Sequence, residues 1–258
     1  MKKAIRKIYF WLGRPAFGFR LLLGIRYGAT GPHGYPDAPW HNAVLKNQQE
    51  VEKAIAQVRA LGLPVMWDKP KNWDSLAALD LILKNTGKEA KIFDAGGEIY
   101  SMILPWLFLY GYKNLSAGNL VFKKPIQLGP IRYHYADITK TGFDAATYDA
   151  VTCLSVIEHG VDFDAYFSEM SRILKPGGIL ITSADYFETK IDTGAQRAYG
   201  VPIHIFSREE IEAAVKIAER HGFTPTGPLD LRAGDKVVTW KTHGLHYTFV
   251  IFSFRKTA

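Results

Sequence analysis

From Lys91 to Ser183 the chain repeats one arrangement: a short apolar run, a polar residue at its end, a turn, and a longer stretch with helical spacing. Lys91-Ile92-Phe93-Asp94-Ala95-Gly96-Gly97-Glu98 opens the series. Ile92 and Phe93 predict a short buried strand, Asp94 ends it, and Gly96-Gly97 lets the backbone turn tightly into a helix. A strand, glycine turn and helix in that order bring backbone N–H groups and a carboxylate close to a small ligand. Leu115 to Leu120 predicts a second strand with Asn119 at its end, and Tyr135-Ala136-Asp137-Ile138 comes next. Tyr148 to His159 is an apolar strand running into polar residues; Met170 to Leu174 closes a helix, Lys175-Pro176-Gly177-Gly178 turns, and Ile179 to Ser183 is a further strand. Strands that alternate with helices predict a parallel sheet.

This succession resembles the class I S-adenosylmethionine-dependent methyltransferases, over roughly residues 72–255. The likeness is to the small-molecule, type 11-like branch, with Ile157-Glu158-His159 after the fourth strand and Leu174-Lys175-Pro176-Gly177-Gly178 before the fifth. It implies an α/β fold: a Rossmann-like, seven-stranded, mostly parallel sheet with helices on both faces, here with an N-terminal helical extension. It also implies S-adenosyl-L-methionine as cofactor. Asp94, Gly96 and Gly97 would sit beside the methionine part, Asn119 at the ribose, Asp137 and Ile138 at the adenine, and Ser155 at the methyl-transfer end. A carboxylate suits a ligand whose ammonium and sulfonium are both positive. The chain departs from the family twice. Glu98 and Tyr100 replace the usual second and third glycines of the first turn, so the helix must start differently, with Ser101 as a candidate cap. Asn119 stands where most members carry Asp or Glu; Asn has one carbonyl acceptor and lacks charge assistance, so Asn119→Asp is expected to bind equally or more tightly.

Methyl transfer from a sulfonium needs a base only if the acceptor must lose a proton. Glu158 and His159 are the nearest titratable pair, and His159 is the catalytic candidate because an unperturbed imidazole titrates near neutrality. Tyr199 and His204, on the polar segment after the fifth strand, are candidate substrate-loop residues. The eight histidines are scattered and no metal-ligand pattern is expected. Cys153, the single cysteine, reads as a small core residue and excludes an internal disulfide.

Charge separates the functional alternatives. Lys2, Lys3, Arg6, Lys7, Arg14, Arg20 and Arg26 all precede Asp37, the first acidic residue, and those seven equal the whole formal excess of +7. The body is balanced, whereas nucleic-acid binders spread basic residues over the folded domain. Residues 1–27 form a basic arm in which Ile5, Ile8, Tyr9 and Leu12 share a helical face, and Pro15 with Gly13 and Gly18 predicts two helical pieces. Such an arm reads either as an interfacial anchor at an anionic membrane surface or as a helix that packs on the domain or lids the site. Gly28 to Trp40 is a connector, residues 43–61 predict an amphipathic helix, and Ser75 to Leu83 another with Asn72 or Asp74 as cap. Trp67 and Trp73 read as packing aromatics, with contact to cofactor or substrate as the alternative that the resemblance implies. Ser207 with Glu210 predicts a capping box, and Lys236–Trp240 with Tyr247–Phe254 a final hairpin.

The expected organisation is an extension over residues 1–71 and a methyltransferase domain over 72–258. The expected function is methyl transfer to a hydroxyl or amine of a saccharide, lipid or other small metabolite. The alternatives are a non-catalytic cofactor-binding or interaction module of the same fold, or an RNA methyltransferase. The expected location is cytoplasmic, with the arm at a membrane surface as its peripheral form.

Overall fold

The structure, a computed structural model, describes residues 2–198 and 200–257, with side chains from Ile8 onward. Two helices come first, α1 (Lys2–Gly13) and α2 (Ala16–Tyr27), broken at Arg14-Pro15 as the sequence predicts. Then follow β1 (Ala43–Val44), α3 (Gln48–Ala60), α4 (Lys71–Asn85), β2 (Lys91–Ala95), α5 (Ile103–Leu109), β3 (Asn114–Gly118), β4 (Ile126–Leu128) and β5 (Ile131–His134). The rest is β6 (Tyr148–Leu154), α6 (Phe163–Ile173), β7 (Leu174–Tyr186), the small hairpin β8 (Arg197–Ala198) and β9 (Val201–Pro202), α7 (Arg208–Arg220), β10 (Phe223–Pro225), β11 (Val238–Trp240) and β12 (Leu245–Lys256).

The main sheet runs β1-β12-β7-β6-β2-β3-β5-β4, with β10 and β11 also pairing β12. β2, β3, β5, β6 and β7 are mutually parallel, and β12 lies antiparallel to β7. Seven strands, β5-β3-β2-β6-β7-β12-β10, make the body; β1, β4 and β11 are short additions at its margins. Helices cover both faces, so the central strands are buried on both sides, as parallel strands require. One core lies under α3, α4 and α5, and the other under α6 and α7.

Side-chain caps fix the starts of α3, α6 and α7. Asp162 caps α6 by accepting from Ala165 N–H at 2.8 Å, and Tyr166, Phe167, Met170 and Ile173 form its buried stripe. At α7 the predicted capping box is present, with Ser207 N–H donating to Glu210 Oε2 at 2.7 Å. The Lys175–Gly178 turn persists as a bulge where β7 slips against β6 between Tyr148 and Ala150.

Three local expectations change. The helix over 43–61 begins at Gln48, because Ala43 and Val44 instead pair with Ile251 and Val250 of β12 and Asn47 caps the helix. α4 begins at Lys71, so Asn72 and Asp74 lie inside its first turn and neither caps it. Asn72 instead ties down the preceding loop, accepting from Met66 N–H at 2.9 Å and donating to Lys69 O at 2.9 Å. Of the two tryptophans, Trp73 packs at 2 % exposure while Trp67 stands 89 % exposed.

The arm is docked by one face only. Phe19 and Leu23 are buried, Phe19 meets Phe108 of α5 with ring centroids 5.4 Å apart, and Gly129 N–H donates to Gly13 O at 2.8 Å. Ile8, Trp11, Leu12, Phe17, Leu21 and Ile25 remain exposed, Phe17 at 80 %, beside exposed Arg14, Arg20 and Arg26. No described helix is long and apolar enough to cross a membrane.

Candidate cofactor and methyl-transfer site

The carboxyl ends of β2, β3, β5, β6 and β7 lie along one edge, where open α/β sheets hold their ligands. Asp94, on β2, is almost fully buried and its Oδ1 accepts from the Thr152 hydroxyl of β6 at 2.7 Å. Burial pushes its carboxyl up to about 7; the Thr152 hydrogen bond and the Lys71 charge oppose the rise. Gly96 follows with φ near +80°, and a Cβ there would stand 2.5 Å from Val156. A Cβ on Gly97 would collide with the Asp94 carboxylate. Both glycines let the first loop fold against β2 and the turn after β6.

Asn119 closes this loop from β3. Its amide Nδ2 donates to Gly96 O at 2.5 Å, and its Oδ1 accepts from Val121 N–H at 3.1 Å. The amide donor is therefore in use, and a carboxylate there would face the Gly96 carbonyl. After β5, Asp137 Oδ1 accepts from both N–H and hydroxyl of Thr139, at 2.9 and 2.7 Å, and Ile138 is buried beside it. Glu98 and Tyr100 occupy a turn, so α5 starts only at Ile103. Ser101 accepts from Glu98 N–H at 3.1 Å within that turn, and α5 has no side-chain cap.

Ser155 takes φ +53, a left-handed conformation for a residue with a side chain, directly after β6. Its N–H donates to Ser183 O at 3.0 Å, and its hydroxyl accepts from the Lys71 ammonium at 2.6 Å. Lys71 also pairs with Asp74, which is fully buried, and Asp74 Oδ2 accepts from the Ser183 hydroxyl at 2.6 Å. A buried chain of Lys71, Asp74, Ser183 and Ser155 thus links the start of α4 to the ends of β6 and β7. Beyond it lie Glu158 and Asp185, both buried. Burial, with Tyr247 opposing, pushes Asp185 up to about 7; burial and then the Asp185 charge push Glu158 well above the carboxylate range. Lys71 and Asp185 escape sequence reading, and Asp74 is read there only as a helix cap. The one signal is charge inside segments that are otherwise buried.

His159 is half-buried and desolvation lowers its pKa, while its backbone N–H donates to Val156 O at 3.0 Å. His204 lies apart from this edge chain, in a cluster with Lys190 and Glu210 at 3.2 and 3.1 Å, against the Phe206 ring. Desolvation, and then the Lys190 charge, lower its pKa. Tyr199 lies outside the described residues. Asp94, Gly96, Gly97, Asn119 and Ser155 fall together around one loop, and Asp137 with Ile138 borders it at the next strand end. A buried carboxylate behind a glycine turn is a donor set that fits the cationic amino-acid end of S-adenosylmethionine.

The comparisons bear on this edge. Residues 113–182, from the end of the first βαβ unit into β7, match the model of a methyltransferase domain family. A sterol 24-C-methyltransferase of Yarrowia lipolytica is 29% identical over 120 residues, 43% of this chain and 30% of its own length. The chain thus spans less than a third of that curated relative. Among solved structures, geranyl diphosphate C-methyltransferase of Streptomyces coelicolor superposes with TM-score 0.51 at 17% identity, covering 91% of this chain and 93% of that one. The 1,6-didemethyltoxoflavin-N1-methyltransferase of Burkholderia thailandensis gives TM-score 0.50 at 18% identity, covering 71% and 77%. At such identities the structural likeness speaks for the fold. The matched segment is similar to a methyltransferase domain, and the strand order with the structural likeness shows the Rossmann-like α/β fold that these enzymes share.

Proposed function

We propose that the protein binds S-adenosylmethionine at the carboxyl edge of its sheet and transfers the methyl group to a small-molecule hydroxyl or amine. The supporting observation is the clustering of Asp94, Gly96, Asn119 and Ser155 about one loop, held by the Asn119–Gly96 and Thr152–Asp94 hydrogen bonds. Asp94 would hold the ammonium, the Gly96-Gly97 backbone the methionine part, Asn119 the ribose side, and Asp137 with Ile138 the adenine. When bound, the cofactor supplies an activated methyl group, so the protein's part is to align the acceptor, exclude water and accept a proton where one is released. Calorimetry with S-adenosylmethionine and S-adenosylhomocysteine tests the reading: saturable one-to-one binding of both is expected, and no binding of either would overturn it.

The arm adds a second element to the proposal: peripheral attachment to an anionic membrane. Its outward face combines apolar area to insert with Arg14, Arg20 and Arg26, and no acidic residue lies before Asp37. The full chain should sediment with vesicles of phosphatidylglycerol and phosphatidylcholine and be released by salt. Failure to sediment at low salt would reduce the arm to a packing element.

A further inference from the structure

The buried carboxylates around Lys71 exceed what cofactor binding uses. Ile181, Ser183 and Asp185 alternate along β7 and so share one face. Ser183 fixes which face that is, because it donates to Asp74 of α4. Asp185 lies one step closer to the carboxyl end of the strand. On the neighbouring β12, Phe249 pairs with Asp185 in register, the Lys71 ammonium stands 4.7 Å from the Phe249 ring centroid, and the Tyr247 hydroxyl acts on the Asp185 carboxyl. From the turn after β6, Glu158 comes up against Asp185. Glu158 is 3 % exposed, and its Oε2 is buried with no hydrogen-bond partner. A buried carboxyl oxygen left unpaired costs free energy, which a ligand placed against it would recover.

We propose that Glu158 and Asp185 form a carboxylate pair facing the transferring methyl group, where they bind a cationic amine acceptor and Asp185 takes its proton. The inference rests on the methyl-transfer reading and names the acceptor class for that site. The charge balance selects an amine over a hydroxyl. Asp68, Asp74, Asp185 and Glu158 face a single cation, Lys71, and the rings of Tyr247 and Phe249 add faces that attract positive charge. No group of three or more His, Cys, Asp or Glu among the described residues is arranged to hold a metal. In the transfer, an N–H bond of the ammonium breaks and its proton passes to the Asp185 carboxylate. The freed electron pair forms the N–CH3 bond while the methyl's bond to sulfur breaks, its electron pair staying on sulfur. With Asp185 pushed up to about 7 and Glu158 higher, the pair keeps a proton at neutral pH and can still accept another. The other groups facing the pair are the Cys153 thiol of β6, itself pushed up by burial, and the Tyr247 hydroxyl, likewise raised by burial and by Asp185.

A ligand that is not the acceptor can test this. Sinefungin is an S-adenosylmethionine analogue with an amine where the cofactor carries its methyl sulfonium, so it projects an ammonium toward the acceptor position. The full chain is titrated calorimetrically with sinefungin and with S-adenosylhomocysteine from pH 6 to 8.5. Sinefungin should bind about tenfold or more tighter, with the ratio growing as pH rises through about 7. In Asp185→Asn the ratio should fall to near one. In Glu158→Gln the pH midpoint should stay near 7 while the ratio falls, because Glu158, the higher of the pair, is still protonated where Asp185 ionises and contributes through its unpaired Oε2. Binding of S-adenosylhomocysteine with no sinefungin advantage above pH 7 would overturn the inference and leave the methyl-transfer reading standing. An unchanged ratio in Glu158→Gln, or loss of the pH dependence in His159→Asn instead, would also overturn it. Failure of both ligands to bind would overturn the methyl-transfer reading itself.

Discussion

Exposed large apolar side chains cluster in the basic arm and at the carboxyl edge of the sheet, with Tyr35 apart on the connector, and the charges set beside the two clusters are opposite. The arm exposes Trp11, Phe17, Leu21 and Ile25 next to Arg14, Arg20 and Arg26. The edge exposes Trp67, Tyr100, Leu120, Val121 and Tyr135 around the loop that Asp94 supports, with Glu158 and Asp185 buried beside it. Apolar area with surface cations suits a broad anionic interface, whose charges need no fixed geometry. Apolar area with buried carboxylates suits a small cationic ligand, because burial makes each charge strong and directional. The energetics differ accordingly. The edge charges are wired into one network through Lys71, Asp74, Ser183 and Ser155, so removing one member affects the fold. The arm's outward residues touch little, so removing one should affect only what the arm binds.

The largest effect should come from the wired side. Asp74→Ala leaves the Lys71 ammonium without its buried carboxylate and the Ser183 hydroxyl without its acceptor. A loss of about 3–5 kcal/mol is expected in chemical denaturation. A loss below about 1 kcal/mol, the range of surface pairs, would mean the network is effectively solvated and would erase the contrast with the arm.

Asp94 should show a smaller effect, specific to the ligand. Asp94→Ala is expected to weaken S-adenosylmethionine binding by about 1.5–3 kcal/mol, measured by calorimetry. The pH dependence follows from its elevated pKa, about 7. A cationic ligand prefers the ionised carboxylate, so wild-type affinity should rise as pH climbs through about 7, flatten above it, and be accompanied by proton release. Stability of the free protein should run the other way. The folded state keeps protons on Asp94 and Asp185 that the unfolded chain gives up near its normal carboxylate range, so stability falls from about pH 4 to about pH 7. Flat affinity across this window would remove Asp94 from the ligand's surroundings.

The two regions were not equally legible in the sequence. The ends of the parallel strands could be read because each is an apolar run stopped by a polar residue, as at Asp94 and Asn119. The break between α1 and α2 could be read because proline and glycine act locally. The Lys71–Asp74–Ser183–Asp185 cluster could not. Asp74 and Ser183 lie 109 residues apart, and only the topology brings α4 over β7. Asp185 was hidden by its type: a carboxylate reads as the end of a strand, so Ser183 marked the expected limit, whereas β7 continues to Tyr186 with Asp185 buried inside it. β1 was hidden by its length, since two residues cannot establish an alternation, and Ala43-Val44 read as the start of α3.

Asn119→Asp tests how far the edge depends on fixed geometry as opposed to charge. If charge alone mattered, another carboxylate should help a cationic ligand. The Asn119 amide, however, donates to Gly96 O and holds the loop that carries the ligand-facing backbone. The substitution replaces that donor with repulsion, and S-adenosylhomocysteine binding should weaken by about 1–2 kcal/mol. Equal or tighter binding would show that the loop re-forms without the amide and that the carboxylate has turned toward the ribose.

The smallest effect on the fold should come from the arm, and it sharpens the contrast most. Phe17 and Phe19 are two residues apart on α2, one 80 % exposed and the other 2 %. Phe19 anchors the helix against Phe108 and Gly129, whereas Phe17 lies on the outward side with Leu21 and Ile25. Phe17→Ser should therefore change stability by no more than about 0.5 kcal/mol and leave cofactor binding unaltered. Its partitioning onto anionic vesicles should nevertheless fall severalfold, on the order of 1 kcal/mol, because an inserting ring has been lost while the cations remain. The remaining binding should then depend more steeply on salt than that of the wild type, since a larger share of it is electrostatic. If Phe17→Ser binds vesicles as well as the parent chain, cations alone account for the attachment. If it instead lowers stability by more than about 1 kcal/mol, the outward face of α2 is covered by protein, and the arm resembles the wired edge more than a free surface.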